Sequence, residues 1–434
     1  SLNFKLEFIF LLLLFQRISI LTKEFNMKLT KISLATIVAL GAFSSVASAT
    51  PLEEAIKNVD LSGYARYRYD VKTIKEADGT MRAFPRSTDR SKATHRFTSV
   101  ATFKAALDDN FFGVLSLRYN SRDGSGKTTS GTTTMNEDKT DTESTFDVAQ
   151  IYIGYKVGNT TVTAGRQTVG SYFTDDVIGT GLKVTNSDIQ GLTLTAAAFD
   201  GIEGNAKGWG IDNKSIGGSL GSHSANLYNI GVVGSYDPVS FQLWYSALVD
   251  YANFIAADIA ADFEVSSDVK IGVQAQYGHG DVDSELKPAL DDSNLYTFQV
   301  SSEFFGADAS LGYVGWKVKN YADGFVTLDD QGGFNDAGEE ALDYTDLSGK
   351  GNFFYGTLGY TFNDFRIGGD IVTGKIKDED GDKTKINEYV ARAEYKYSKK
   401  LKFLSWYSYK TEKADGDSGK EKEKTFRFEA KYSF

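Results

Sequence analysis

Leu61-Ser62-Gly63-Tyr64-Ala65-Arg66-Tyr67-Arg68-Tyr69-Asp70 alternates without a break. Its odd positions hold Leu61, Gly63, Ala65, Tyr67 and Tyr69, and its even positions hold Ser62, Tyr64, Arg66, Arg68 and Asp70. Side chains two apart on a strand share a face, so this stretch has one oily side and one charged side. Working outward, Phe97, Ser99, Ala101, Phe103 and Ala105 repeat the stripe with Arg96, Thr98, Thr102 and Lys104 opposite. Leu115, Leu117 and Tyr119 oppose Ser116, Arg118 and Asn120, and Ala149, Ile151 and Ile153 oppose Gln150 and Tyr152. Further stripes start at Phe241, Ile255, Val269, Tyr389 and Leu401.

The connectors alternate as well. Asp108 to Asn110, Gly158-Asn159, Asp237 to Val239, Val265 to Asp268, Asn363-Asp364 and Ser398 to Lys400 are short. Val71 to Thr94, Ser121 to Ser144, Asp200 to Asn226, Lys319 to Asn352 and Lys375 to Ile386 are long and polar. Short turns at one end and long loops at the other, between two-faced strands, describe an all-β transmembrane antiparallel barrel. One strand per stripe gives about 18 strands. Sixteen stays open, because Gly179 to Asn186 and the edges near Gly306 are hard to place.

The totals agree. The 434 residues include 4 prolines, 43 glycines, 24 tyrosines and no cysteine. Proline deletes a ladder hydrogen bond, so a chain of paired strands avoids it. Tyrosine suits a membrane boundary. The absence of cysteine excludes disulfides and thiolate metal sites. A net charge of −11 argues against nucleic acid as a partner.

Residues 1–26 do not begin with methionine and are expected to be an upstream extension. From Met27 the chain has a signal-peptide pattern: Lys28 and Lys31, an apolar middle from Ile32 to Phe43, and Ala47-Ser48-Ala49 as cleavage site. Removing residues 1–49 takes away five basic and two acidic residues, which moves the net charge from −11 to −14. Residues 50–434 then form one barrel domain without a helix-length apolar run. The chain ends Phe426-Arg427-Phe428-Glu429-Ala430-Lys431-Tyr432-Ser433-Phe434, with apolar residues on every even position. Pairing this strand with Leu61 to Asp70 would close the sheet and leave no edge.

The middle of the chain, Gly165 to Phe199, reads as strand, folded-in loop, strand, tight turn, strand. Its loop, Thr168 to Thr180, carries Asp175 and Asp176 and is expected to narrow the hole. Arg66, Arg68, Arg96 and Arg118 come from the inward faces of the first three strands, and Arg166 stands just before the loop. A basic wall opposite two aspartates would set a transverse field, the means by which pores sort ions. Each arginine also has a plainer use, pairing with a neighbouring carboxylate inside the barrel. The excess of acid in the long loops favours cations at the mouth, within a Debye length of about 8 Å.

Thr50 to Lys57, Ser62-Gly63 and Arg66 to Asp70 resemble the mature start of the Campylobacter-type major outer membrane porins. Gly165, Gln167, Thr174-Asp175, Gly179-Thr180-Gly181, Gly191 to Leu194, Gly234 to Asp237 and the terminal aromatic fit the same family. The resemblance touches both ends and the middle, but not the long loops. It implies an 18-stranded homotrimeric porin of the bacterial outer membrane, passing ions and small hydrophilic solutes with a weak cation preference. Outer-membrane lipid and lipopolysaccharide would surround it. It also implies calcium near the constriction. In the family more residues separate the aspartates from Gly179, one of them acidic and tied to that metal. Here Asp175-Asp176 runs into Val177-Ile178-Gly179, so no metal or other cofactor is expected. By analogy Ser121 to Ser144 would reach a neighbouring subunit.

Other function classes leave weaker traces. Ser121 to Thr128 approximates a P-loop, but its first glycine is Ser121 and no apolar helix follows. Asp378 to Asp382 hints at an EF-hand, yet Ile376 and Asn387 fill the first and last ligand positions. His95, His223 and His279 lack metal-ligand spacing. A hydrolase barrel would need a base fixed to a nucleophile, and no spacing supplies one. A surface adhesin, contacting host molecules through its long loops, is the alternative to a pore. Deleting Lys319 to Asn352 should spare conductance if that loop serves recognition alone.

Overall fold

The computed structural model describes residues 59–75, 90–130, 133–136, 145–203 and 226–434. The expected extension 1–26, the signal peptide 27–49 and most of the Asp200 to Asn226 loop, His223 included, lie outside these residues. The first half of the chain supplies β1 (Asp60–Lys75), β2 (Arg90–Ala106), β3 (Phe111–Ser130), β4 (Thr133–Asn136), β5 (Thr145–Val157), β6 (Thr160–Thr168), β7 (Ile178–Asn186), β8 (Leu192–Ile202), β9 (Leu227–Tyr236) and β10 (Val239–Leu248). The second half supplies β11 (Ala252–Ser266), β12 (Val269–Val282), β13 (Ser293–Phe304), β14 (Ala307–Val318), β15 (Asp323–Gly324), β16 (Leu347–Ser348), β17 (Lys350–Phe362), β18 (Phe365–Lys377), β19 (Lys383–Lys396), β20 (Leu401–Ala414) and β21 (Glu421–Ser433).

Eighteen of these strands form one closed antiparallel wall. The other three are β4, which folds back on β3, and the small β15–β16 pair. β1 pairs with β2 on one side and with β21 on the other, with Tyr69 opposite Phe428 and Ala65 opposite Tyr432. No edge remains, so every wall strand satisfies its backbone within the sheet. Among the described residues no helix is long and apolar enough to cross a membrane; the crossing is made by strands.

The two faces separate as alternation requires. Leu311, Leu358, Ile367 and Ile371 point outward and are more than half exposed, whereas Val314, Phe353 and Val372 on the same strands point inward and are fully covered. Outward aromatics stack in series at the turn end, from Phe362 to Phe365, Tyr395, Phe403 and Phe428. Such a row marks a membrane–water boundary.

Three polar stretches differ from the sequence expectation. β1 runs on to Lys75 and β2 starts at Arg90, so both ends of the Val71 to Thr94 connector are strand. Ser121 to Ser130 continues β3, which also removes the P-loop resemblance, because no helix follows Lys127. The Lys375 to Ile386 connector is mostly strand, and its loop shrinks to residues 378–382. In each case the ladder continues above the apolar band, so composition suggested a loop where register continues a strand. At the same end the β10–β11 connection is only three residues long, an exception to the long-loop pattern.

Two bulges re-aim side chains. In the β3–β5 ladder Ser116 opposes Gln150 but Leu117 opposes Val148, which leaves Ala149 extra. In β7–β8 Gly181 opposes Phe199 and Thr180 opposes Gly201, which leaves Asp200 extra. A bulge shifts parity by one residue. Strict alternation would therefore send Asp147 outward with Ile151, and the bulge brings it inside, opposite Arg118.

Candidate functional site

The apolar core lies inside the barrel. Inward side chains of β10 to β19, among them Trp244, Phe254, Leu295, Val314, Trp316 and Phe353, are buried in one cluster with Tyr172 and Phe173 and with Phe325, Leu328, Phe334 and Tyr344. The first pair belongs to the β6–β7 connector, residues 169–177, and the others to the β14–β17 connector, residues 319–349. Both connectors pack on the inner face of the wall.

The shorter connector is held by a buried polar knot. Tyr172 Oη donates to Asp258 Oδ2 at 3.1 Å, and Gln276 Nε2 donates to Tyr172 Oη at 2.8 Å and to Asp258 Oδ2 at 3.0 Å. Asp258 and Gln276 stand opposite each other on β11 and β12. Burial, then the Asp258 carboxylate, holds the Tyr172 phenol well above its ordinary pKa, so it stays a donor. The two connectors also bind each other: Leu328 N donates to Phe173 O and Gly333 N to Tyr172 O, both at 2.8 Å. Gly332, with φ +57°, lies so close that a Cβ would stand 2.4 Å from the Tyr172 carbonyl.

The longer connector is anchored through Glu388 of β19. This carboxylate is fully buried. It accepts from the backbone N–H groups of Glu339 at 2.9 Å, Glu340 at 3.1 Å and Ala341 at 3.0 Å, and from Ser408 Oγ at 2.6 Å. Three successive amides around one carboxylate form an anion nest built by the loop for a wall side chain. Gly338, at φ +82°, makes room: a Cβ there would stand 2.3 Å from Glu388 Oε2. Arg392 bonds Glu339, Asp370 and the Gly338 carbonyl, and Lys72 bridges Glu340, at 2.8 Å, to Glu423. Enclosure by protein, then the neighbouring Glu339, pushes the Asp336 carboxyl up to about 7, although the residue remains partly exposed.

The inner faces of β1, β2, β3 and β21 carry the expected basic residues. Arg66 and Arg68 face inward, Arg96 stands directly opposite Arg68, and Arg118 shares their face. They do not form a bare cationic ladder. Arg68 Nη2 meets Glu429 at 2.8 Å, with Arg66 4.0 Å from the same carboxylate. Arg118 meets Asp147 at 3.0 Å and Glu203 at 2.7 Å. The plainer use therefore holds for Arg68 and Arg118, and the wall is a row of ion pairs in which arginine predominates.

Arg166 is a correction. It stands opposite Ile151, and its neighbour Ala164 stands opposite Ile153, which puts it on the outer face. Its guanidinium donates to the Val148 carbonyl at 2.9 Å. The inward slot beside it belongs to Gln167, which is buried. Asp175 and Asp176 are exposed on an otherwise buried connector, and both of their backbone N–H groups donate to Asp329 Oδ2, at 3.3 and 3.2 Å. Asp329 and the exposed Asp330 thus bring acid from the longer connector to the same tip. Sequence reasoning missed them, because Lys319 to Asn352 reads as an exposed polar loop. The signal available was the scatter of large apolar residues from Phe325 to Leu347, which has no period.

Among the described residues no three carboxylate, imidazole or thiol groups converge as metal ligands. His95 lies on the outer face against Tyr67 Oη at 2.8 Å, and His279 against Asn294 Oδ1 at 3.1 Å. Neither meets a serine as a general base would.

Comparison with solved structures gives barrels of the same architecture. Pseudomonas aeruginosa OccK7 (OpdD) superposes with a TM-score of 0.66 at 12% identity, covering 87% of this chain and 99% of that one. Pseudomonas aeruginosa OpdL gives 0.65 at 12% identity, covering 87% and 99%. Acinetobacter baumannii OccAB2 gives 0.64 at 14% identity, covering 86% and 98%. At such identities the likeness concerns the fold alone. No curated protein sequence matches the chain. The family model described as Campylobacter major outer membrane protein matches residues 27–434. With its closed two-faced wall and inward-packed connectors, this chain belongs to the Campylobacter major outer membrane protein family, a channel of the bacterial outer membrane.

Proposed function

We propose that the channel is a general diffusion pore for ions and small hydrophilic solutes, weakly cation-preferring, narrowed by the two inner connectors. The observation that carries this reading is the exposure of Asp175 and Asp176 at the tip of connectors that are otherwise buried on one half of the inner wall. Water and solute then pass between that acidic tip and the arginine-bearing faces of β1 to β3. Because Arg68 and Arg118 are paired with carboxylates, the opposing field is modest and the exposed aspartates tip the balance toward cations. The pore has no covalent step to perform, and we assign it no enzymatic activity and no resident metal. We further propose a homotrimer seated among outer-membrane lipid and lipopolysaccharide, with host-surface contacts made through loops at the end of the barrel opposite the short turns.

The test is the reversal potential of purified protein in a planar bilayer under a potassium chloride gradient. Cation sign, shrinking as salt rises, is expected. Asp175→Asn with Asp176→Asn should move the potential toward zero while conductance persists. Anion preference at every salt concentration, or an unmoved potential in the double variant, overturns the reading. Conductance steps in threes and cross-linking to a trimer in mild detergent are expected; cross-linking confined to dimers would refute the trimer.

A further inference from the structure

On seven consecutive wall strands, β14, β17 to β21 and β1, the outward positions contain no aspartate or glutamate at all. Their acids, such as Asp370, Glu388, Glu423 and Glu429, all point inward. At the loop end of the same strands the outward positions become lysine. Lys350 of β17 stands opposite Lys377 of β18, which stands opposite Lys383 of β19. One step nearer the membrane middle, Lys375, Lys385 and Lys413 form a second row across β18, β19 and β20. Lys422 of β21 stands opposite Lys75 of β1.

Like charges directly opposite on a sheet repel and destabilise the pairing. None of these lysines makes an ion pair with a described residue. Elsewhere the chain compensates its charges, as Lys72 with Glu340 and Lys410 with Glu423 show. Uncompensated rows on one face of one sector call for an external polyanion.

Height identifies which one. From Lys375 to the stacked Phe365 ring is ten residues along one strand. At about 3.3 Å per residue and a tilt of about 40° they span roughly 25 Å, the height of a barrel's apolar band. The aromatics mark one boundary and the lysines the other, the loop-side headgroup layer. Tyr409, opposite Lys424, and Tyr389, opposite Tyr409, sit just below as rings for acyl chains and sugars.

We propose that this lysine terrace binds the phosphorylated headgroups of glycolipid in the outer leaflet. The inference rests on the outer-membrane location and specifies the lipid contact of the proposed function. It is independent of ion selectivity, because the lysines face away from the lumen.

Full-length protein in detergent is titrated with diphosphorylated lipid A, and binding is counted by native mass spectrometry. Lys375→Ala, Lys385→Ala and Lys413→Ala together should weaken binding by about tenfold or more. Lys399→Ala with Lys400→Ala, at the opposite end, should not. The same three positions changed to Arg should restore binding, which separates lost charge from lost fold. Conductance and reversal potential should stay unchanged in all of them. Equal binding of dephosphorylated lipid, equal protection by inorganic phosphate alone, or full affinity in the triple Ala variant would overturn the proposal.

Discussion

The two connectors that enter the barrel make an instructive pair. Residues 169–177 form a short segment clamped by one buried knot, Tyr172 with Asp258 and Gln276. Residues 319–349 form a long one, spread over the inner faces from β12 to β1 and held by Glu388, Arg392 and Lys72. The first depends on the second: Leu328 and Gly333 supply its backbone partners and Asp329 caps its acidic tip. A segment that carries an exposed acidic tip need not carry its own stability. It can be a tip supported by a larger, mostly buried segment.

The strongest way to break this comparison is to remove the support. Replacing residues 327–345 by a short Gly-Ser linker should raise single-channel conductance severalfold and release residues 169–177 to proteases. Unchanged conductance in a planar bilayer would return the longer connector to a surface role. A smaller lesion should sharpen the comparison. Glu388→Gln strips the charge from a carboxylate that accepts three loop amides, and bonds to charged groups contribute about 1.5–3 kcal/mol each. Amide exchange at residues 339–341 should accelerate strongly while exchange in β19 does not. Gly338→Ala should act in the same direction, because its Cβ would meet Glu388.

The smallest effect is set by pH. Asp336 has its folded pKa raised to about 7. A carboxyl raised on folding favours the folded form fully below its unfolded pKa, and that advantage fades as pH rises through the folded value. Docking of the longer connector should therefore be tightest near pH 4 and loosen toward pH 7, seen as growing current noise. Asp336→Asn, which stays neutral, should flatten that dependence; identical noise profiles would assign it to other groups.

How much of this was legible depended on period. Leu61 to Asp70 and Phe426 to Phe434 announce a closed wall because lipid on one side and water on the other impose a two-residue repeat. The glycine-bounded Gly165 to Phe199 stretch announces an inserted loop between strands. Phe325, Leu328, Phe334 and Tyr344 announce nothing, since an irregular segment buries side chains without repeating them. Lys375, Lys377, Lys383 and Lys385 look like loop because their strand leaves the apolar band and keeps only its register.

By itself, then, the sequence determined the barrel, its near-count of strands, the acidic tip and the inward face of Arg66, Arg68, Arg96 and Arg118, because those follow from which face of a strand meets lipid. Only the tertiary structure decided that Arg166 points outward, that a bulge at Ala149 turns Asp147 inward, that Arg68 and Arg118 are paired, and that a second connector packs its apolar residues on inward side chains of the wall. Those outcomes depend on register and on contacts between residues hundreds of positions apart, as Arg68 with Glu429 shows. A single-residue shift in register inverts every face it touches, and no local pattern records it.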